Sequence, residues 1–309
     1  MADVTRSVSA AALSRLGARP RLAIGLLRLP RLLPAVAWRA RLYRSVSWPL
    51  AKRIGAETEV DVIRGNRMLV RTDDSVGRVL AISGVWEPNV TAAFTRSLSP
   101  GDTCVDIGAH IGYYTLLAST LVGPGGHVYA FEPSPSNYRA LRANLSRNRV
   151  SNVTAIQAAV ADTAGTAELY EGPGTNTGGA TLRGVLADRR GGRHPVRVEV
   201  RPIAAAIPEV EFARIRVVKI DVEGAEVDVL RSLAPVFDQG HGLSVFLELN
   251  PRWIEGITEY VEGMCAAYGF RARRIRSGYS LDGLFPSRLT EPEELLAIPD
   301  EHCDLLLTR

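Results

Sequence analysis

The chain has 309 residues, of which 46% are hydrophobic and 23% are charged, and it contains three cysteines. These values are typical of a globular protein and exclude a disordered chain, a collagen-like fibre, a coiled coil and a disulfide-stapled scaffold. The formal net charge of +4 divides into +10 for residues 1–55 and −6 for residues 56–309, so the body lacks the basic surface typical of nucleic-acid-binding proteins.

Residues 1–55 predict a basic N-terminal extension, because they hold eleven lysines and arginines and one acidic residue. The longest apolar run there, Leu22–Leu27, has six residues, whereas a membrane span needs about 20. Two interpretations stay open. The extension either binds peripherally to anionic membranes, or it is an N-terminal cap that folds onto the main domain or remains without fixed structure. The cysteines have no CxxC spacing and are predicted to be free thiols of a reducing compartment. We therefore expect a cytoplasmic protein, with attachment to a membrane surface as the alternative.

Residues 56–309 form the predicted main domain, which opens with a β-hairpin and two helices over residues 56–100. Two β-like runs flank Gly65 and Asn66, a residue pair typical of hairpin turns. Two helical segments follow these runs. The four elements are Glu59–Arg64, Arg67–Arg71, Val76–Leu80 and Asn89–Leu98.

From residue 101 onward, strands and helices alternate along the chain. The predicted strands are Thr103–Ile107, His127–Phe131, Val153–Val160, Val217–Ile220, Leu243–Leu249, Phe270–Arg276 and Asp304–Thr308. The predicted helices are Tyr113–Val122, Ser136–Arg147, Ala225–Leu233 and Thr258–Tyr268. This alternation is typical of an α/β fold in which a doubly wound, mostly parallel sheet carries helices on both faces. Residues 162–208 interrupt the cycle and predict a β-rich insertion beside the ligand crevice.

The turn after the first of these strands carries the first chemical motif. Asp106 ends the strand, Gly108 and Gly112 follow, and a helix begins. In a doubly wound sheet this turn borders the ligand. The dinucleotide fingerprint GxGxxG is absent, since only two glycines are present, four residues apart. An acid before the first glycine suits a ligand that presents an ammonium or a hydroxyl group.

Two further motifs lie at the ends of later strands. Glu132 follows the second strand, where a carboxylate can accept hydrogen bonds from two ribose hydroxyls. Lys219, Asp221 and Glu223 share one side of a later strand by alternation, beside a turn into a helix. A lysine next to two acids at the ligand edge of a sheet is a candidate acid–base group. Solvated surface charge is the alternative interpretation of each motif.

Together these motifs resemble the FkbM family of S-adenosylmethionine-dependent methyltransferases. The resemblance extends over roughly residues 85–249, with His110 at a position where many relatives carry asparagine. The segments that carry it are DIGAHIGYYT, VYAFEPSPSNYRALRANLSRN, NVTAIQAAVAD, NTGGATL and VKIDVEGAEVDVL, which begin at Asp106, Val128, Asn152, Asn176 and Val218.

The resemblance implies a seven-stranded, Rossmann-like methyltransferase sheet with an antiparallel last strand, and S-adenosylmethionine as cofactor. Family members mostly methylate hydroxyl oxygens of sugars and natural products, so the expected acceptor is a small molecule, a saccharide or a glycolipid, and no nucleic acid. The residues implied to border the cofactor are Asp106, Gly108, His110 and Gly112 at its methionine part, Glu132 and Pro133 at its ribose, Ala159, Val160 and Asp162 at adenine, and Asp221 near the sulfonium.

Methylation of a hydroxyl group needs a base for the departing proton. The candidates are Asp221, Glu223, Glu248 and His110, with Asp221 preferred for its position at a strand end. We also expect Glu87 to lie near the site, in a lid or a domain-edge turn. The five histidines lack HxH and HExxH spacing, which argues against a histidine-built zinc site. A divalent metal bound by Asp221 and Glu248 stays open as an alternative, but the sequence does not require it, and no metal site is predicted.

Three competing functions stay open. An NAD-dependent oxidoreductase is disfavoured by the acid that opens the first motif and by its missing third glycine. A non-catalytic binding protein on the same sheet is disfavoured by the complete set of Asp106, Glu132 and Asp221. An RNA methyltransferase is disfavoured by the negative charge of the body.

Overall fold

An eight-stranded mixed sheet lies at the centre of the protein in a computed structural model that describes residues 47–54, 57–172, 176–184, 195–278, 283, 286 and 288–309. Its strands are β3 (Thr103–Ile107), β4 (His127–Phe131), β5 (Val153–Ile156), β9 (Ile215–Ile220), β10 (Ser244–Leu249), β11 (Arg271–Ile275), β12 (Glu293–Glu294) and β13 (Cys303–Thr308). Five further strands are β1 (Glu57–Asp61), β2 (Arg67–Arg71), β6 (Ala159–Val160), β7 (Gly165–Leu169) and β8 (Val196–Arg201).

The spatial order of the central sheet is β12-β11-β13-β10-β9-β3-β4-β5. Strands β3, β4, β5, β9 and β10 are parallel, and the last strand, β13, runs antiparallel between β10 and β11. The doubly wound α/β class and the antiparallel last strand are confirmed. The expectation of seven strands is corrected to eight, because the two-residue strand β12 pairs with β11 at the sheet edge.

Helices cover both faces of the sheet and enclose two hydrophobic cores. One core joins the β1–β2 hairpin to the helices that precede and follow β3, and the other lies beneath the helices that follow β9 and β10. The α-helices are α1 (Trp48–Ile54), α2 (Ser75–Ser83), α3 (Pro88–Ser97), α4 (Tyr113–Val122), α5 (Pro135–Arg147), α6 (Ile203–Ala206), α7 (Glu226–Ser232), α8 (Ala234–Phe237) and α9 (Ile257–Tyr268).

The end of the basic extension packs onto the body. Helix α1 lies against α2, Leu50 and Ala51 are buried, and Trp48 stacks on the Arg78 guanidinium at 4.5 Å. Residues 47–51 therefore pack into the core, although the predicted boundary of the main domain lies at residue 56. The remainder of the extension, residues 1–46, lies outside the described residues. Within the described ranges, no helix is both long enough and apolar enough to cross a membrane.

The predicted strand Val153–Val160 is in fact two strands. Val153–Ile156 belongs to the central sheet, and Ala159–Val160 pairs with β8 in a three-stranded sheet of order β6-β8-β7. The sequence from Val153 to Val160 contains no glycine or proline that would mark a strand end. The chain nevertheless leaves the central sheet at Gln157. The small sheet lies in the region of the predicted β-rich insertion and brings β6 beside the central sheet's ligand edge.

Candidate active site

The carboxyl ends of the parallel strands meet at one edge of the sheet, around a cavity of about 770 Å³. This edge is where open α/β sheets bind their ligands, and the volume lies within the range of about 300–1,000 Å³ typical of small-molecule sites. Polar residues follow one another along the cavity in the order of the strands: Glu132 after β4, Asp106 in β3, Asp221 after β9, and Glu248 in β10.

The turn between β3 and α4 is held tightly against the turn after β9. The Asp221 N–H donates to the carbonyl oxygen of Ile107 at 3.0 Å. Gly108 has a φ of +86°, and a Cβ atom on it would lie 1.8 Å from the carbonyl oxygen of Asp221. Only glycine fits this position, because it tolerates the left-handed backbone and has no side chain.

We expect Gly108→Ala to destabilise the fold by more than the backbone strain alone. The matched control is Gly101→Ala, since Gly101 has a φ of +91° but open space where a Cβ atom would lie. The control is expected to cost about 1–2 kcal/mol, the penalty of a left-handed residue with a side chain. Denaturant unfolding compares the two variants. Equal losses would contradict the tight packing of Gly108 against Asp221.

Glu132 is a buried carboxylate held by backbone donors. Its side chain is buried, Oε1 accepts from the Ser134 N–H at 2.9 Å, and Oε2 accepts from the His110 N–H at 2.7 Å. Burial raises the pKa of Glu132 to about 7, and the two backbone donors partly oppose this rise. A hydrogen bond from the Asn137 side chain also lowers the pKa of Glu132, and the carboxylate lines the cavity with its remaining acceptor capacity.

Asp106 is also buried, but one of its oxygens is satisfied within the protein. Oδ2 accepts from the Thr115 hydroxyl at 2.6 Å. Burial raises the pKa of Asp106, while this hydrogen bond and the positive charge of Lys219 oppose the rise. The side chain therefore joins the β3 end to helix α4 and still lines the cavity.

A polar chain ties the Asn176–Gly179 segment of the insertion to the cavity wall. The Thr177 hydroxyl donates to Asp74 Oδ1 at 2.9 Å, and the Thr177 N–H donates to the same oxygen at 2.8 Å. The hydroxyl hydrogen of Thr177 is used in the bond to Asp74. The hydroxyl oxygen must therefore accept from Nε2 of His110, 2.8 Å away, which assigns the hydrogen of the neutral ring to Nε2. Burial lowers the pKa of His110, which favours the neutral ring.

A buried ion pair lies beneath the centre of the cavity. Lys219 Nζ lies 2.8 Å from Asp221 Oδ2 and 4.7 Å from the centre of the Tyr114 ring. Burial alone would raise the pKa of Asp221, but the charge and hydrogen bond of Lys219 outweigh it, and the net shift is downward. Asp221 is therefore held in its ionised form, and its side chain is 29% exposed towards the cavity.

Glu248 forms a second pair with His302, the residue just before β13. Their Oε1 and Nε2 atoms are 2.7 Å apart. Burial raises the pKa of Glu248 well above its ordinary value, and the nearby negative charges of Asp221 and Asp304 raise it further. The antiparallel pairing of β13 with β10 is what brings His302 beside Glu248.

Glu87, expected near the site from the sequence, lies close enough to Glu248 for its charge to act on it. The Tyr114 hydroxyl donates to its Oε2 at 2.9 Å, and burial raises the pKa of Glu87 to about 8. Glu87 lines a smaller cavity of about 490 Å³, and His302 lines both cavities. The turn before α3 therefore contributes a carboxyl group at the site.

Most of the predicted site residues line the main cavity, and two do not. The residues that line it are Asp106, Gly108, His110, Glu132, Pro133, Ala159, Val160, Asp221, Glu223 and Glu248. A Cβ atom on Gly112 would lie 2.6 Å from Cδ1 of Leu141, so this glycine allows α5 to pack closely instead. Asp162 lies between β6 and β7, away from the cavity lining.

Sequence reasoning missed Asp74, the role of Thr177, and His302. Asp74 caps helix α2 through the Gly77 N–H, so an N-cap search before that helix was the available signal. His302 has no local signal, because it reaches the site through the pairing of distant strands. In the described part of the chain, no group of three or more histidine, cysteine, aspartate or glutamate side chains has the arrangement of a metal site.

Comparisons with known proteins find relatives among methyltransferases. A family model described as "Methyltransferase FkbM domain" matches residues 106–272. Methyltransferase sdnD of Sordaria araneosa is 31% identical over 205 residues, which cover 58% of this chain and 77% of the relative. The 31-O-demethyl-FK506 methyltransferase FkbM of Streptomyces tacrolimicus is 32% identical over 203 residues, which cover 50% and 77%. Among solved structures, a SAM-dependent O-methyltransferase of Thermotoga maritima aligns over 87% of this chain and 80% of its own, with 10% identity and a TM-score of 0.40.

Proposed function

The chain belongs to the FkbM family of methyltransferases, which use S-adenosylmethionine, and on this premise we propose that it methylates a hydroxyl oxygen of a sugar, a glycolipid or another natural product. The observation that carries the proposal is the division of the cavity edge into two parts. Glu132 and the apolar residues of β4 and β6 suit a nucleoside, whereas Asp221, Glu248 and His302 supply charge and proton acceptors for a hydroxyl group.

The first part of the cavity fits the cofactor by its donor set and its shape. Glu132 lines the cavity with a carboxylate that suits ribose hydroxyls, and Phe131, Ala159 and Val160 offer an apolar wall for adenine. Asp106 and Gly108 lie next in the order of strands, beside the expected methionine part. When bound there, S-adenosylmethionine supplies an electrophilic methyl group on a positively charged sulfur.

Asp221 is the residue proposed to orient the acceptor hydroxyl next to the methyl group. It lies at the end of β9, between the nucleoside part and the Glu248–His302 pair, and Lys219 keeps it ionised. A fixed carboxylate can accept the hydroxyl hydrogen and so direct an oxygen lone pair towards the methyl carbon. Alignment of this kind contributes several kcal/mol to displacement reactions. Glu223 and His110 stay as further candidates for contact with the proton.

The experiment that tests the proposal uses S-adenosylmethionine with an isotopically labelled methyl group. The full chain is incubated with an extract of its source cells, and the labelled product is analysed by mass spectrometry and NMR. The proposal expects a labelled methyl ether in a small molecule or glycolipid. Label on nitrogen or carbon, label only in RNA or protein, or no enzyme-dependent label would contradict it.

Cofactor affinity is expected to depend on pH through Glu132. Burial raises its pKa to about 7, and ribose hydroxyls bind the ionised carboxylate more strongly than the acid. Protonation therefore competes with binding, and the affinity for S-adenosylhomocysteine should fall about tenfold from about pH 8 to about pH 6. Titration calorimetry measures this change. The control Glu132→Gln cannot ionise and should lose the dependence, whereas equal wild-type affinity at both pH values would contradict the assignment.

The basic residues of the extension are proposed to give weak, salt-sensitive attachment to anionic membranes. Residues 1–46 contain nine arginines and one acidic residue, and each basic group near an anionic surface contributes about 1 kcal/mol, which salt screens. The full chain is expected to sediment with phosphatidylserine vesicles at low salt and to be released at high salt. Neutral vesicles are the control, and a protein that stays in the supernatant at low salt would contradict membrane contact.

A further inference from the structure

His302 and Glu248 form a histidine–carboxylate pair that the sequence motifs do not contain. Glu248 lies in β10 and His302 immediately precedes the antiparallel neighbour β13, with Nε2 and Oε1 2.7 Å apart. Glu248 is 9% exposed and His302 is 39% exposed, so a buried carboxylate holds a partly exposed imidazole. The centre of the Trp253 ring lies 6.4 Å from that of the imidazole, and the two rings are inclined by 31°. The contact that orients the imidazole is therefore the one with Glu248.

The position of the pair along the sheet edge assigns it to the methyl acceptor. The nucleoside residues lie at β4 and β3, Asp221 follows at β9, and the pair lies beyond it at β10 and β13. His302 also lines the smaller neighbouring cavity, so it stands where the two cavities meet. His110 lies on the opposite side, where its backbone binds Glu132. Of these two histidines, His302 is therefore the one next to an incoming acceptor.

Several acidic side chains lie around Glu248, the partner of His302. Glu248 faces several other carboxyl groups, while Lys219 is engaged with Asp221 at 2.8 Å. Asp221 is less suited to take up a proton, because Lys219 stabilises its ionised form. The charged groups that act on Glu248 or lie beside it are Asp221, Glu223, Asp304 and Glu87 as acids and Lys219 as a base.

We propose that His302, positioned by Glu248, is the general base that removes the proton of the acceptor hydroxyl. As the acceptor oxygen bonds to the methyl carbon, the carbon–sulfur bond breaks and its electron pair returns to the sulfur, which becomes neutral. The hydroxyl proton passes to Nδ1 of the imidazole, while Oε1 of Glu248 accepts from the Nε2–H and holds the ring in place. The neutral ring carries its hydrogen on Nε2 towards Glu248. This inference rests on the proposed O-methylation and names the residue that completes it.

The first arm of the test measures methyl transfer. His302→Gln should lower transfer from labelled S-adenosylmethionine into the source-cell extract about 10²–10⁴-fold, and S-adenosylhomocysteine affinity should change less than about twofold, since the pair lies beyond the cofactor residues. Glu248→Gln should also lower transfer. His127→Gln is the matched control, because His127 begins β4 at the opposite edge of the sheet and binds a threonine hydroxyl. Full transfer by His302→Gln, with wild-type protein active, would overturn the inference but leave the proposed function standing.

The second arm needs no methyl acceptor. In ¹⁵N-histidine-labelled wild-type protein, the His302 signals, assigned from the spectrum of His302→Gln, should show hydrogen on Nε2 and an unprotonated Nδ1 in the neutral ring. Glu248→Gln should shift these signals, and the four other histidines should change little. A neutral ring with hydrogen on Nδ1 would overturn the inference, because that tautomer presents its lone pair to Glu248. If wild-type protein labels nothing in the extract, the proposed function fails, and this arm still decides how the pair shares its proton.

Discussion

Glu132→Ala is expected to weaken the binding of S-adenosylhomocysteine about 5- to 150-fold. The loss corresponds to about 1–3 kcal/mol for charge-assisted hydrogen bonds between one carboxylate and two ribose hydroxyls. The carboxylate is already oriented by the N–H groups of Ser134 and His110, so the wild-type protein orders no further side chain at this contact. Titration calorimetry gives the affinity directly.

Two controls separate this contact from a general loss of structure. Glu59→Ala removes an exposed glutamate that pairs with Arg147 on the hairpin side of the molecule, and it should leave cofactor affinity unchanged. Thermal unfolding of both variants shows whether the fold persists. If folded Glu132→Ala binds as tightly as wild type, the nucleoside does not bind at the end of β4.

Asp221→Asn is expected to lower turnover about 10²–10⁴-fold. The asparagine keeps the shape of the side chain but removes the charge that pairs with Lys219 at 2.8 Å and that we propose orients the acceptor. Cofactor affinity should fall much less, because the ribose and adenine contacts lie at β4 and β6. Single-turnover methyl transfer and calorimetry measure the two quantities.

The pH dependence of this variant distinguishes an orienting residue from a base. If His302 takes the proton, Asp221→Asn should slow transfer at every pH and keep the shape of the wild-type pH–rate profile. If Asp221 is itself the base, the acidic limb of that profile should disappear. Unchanged turnover in Asp221→Asn, together with loss of turnover in Glu248→Gln, would show that Asp221 has neither role.

Local patterns predicted the elements that hold the cofactor side of the site. The observed bounds of β3, β4 and α4 are those expected from the sequence, because short apolar runs between strong turn residues leave little freedom in where a strand ends. Asp106 lies one residue before the end of β3 and Glu132 one residue after the end of β4, so the parallel register places both carboxylates at one edge. This part of the site follows from local sequence and strand direction.

The acceptor side depends on contacts between distant segments, which a local pattern does not encode. His302 meets Glu248 only because β13 inserts antiparallel between β10 and β11. Thr177 meets Asp74 across about a hundred residues of chain. The short strand β12 consists of two glutamates, whose low intrinsic β-propensity gives no strand signal.

The most direct test of the account is a crystal structure of the protein with S-adenosylhomocysteine. We expect both ribose hydroxyls on Glu132, adenine against Ala159 and Val160, and the sulfur beside Asp221, with the space towards Glu248 and His302 left for the acceptor. A nucleoside bound elsewhere along the cavity, or a sulfur directed away from Asp221, would contradict the assignment of the two sides of the site.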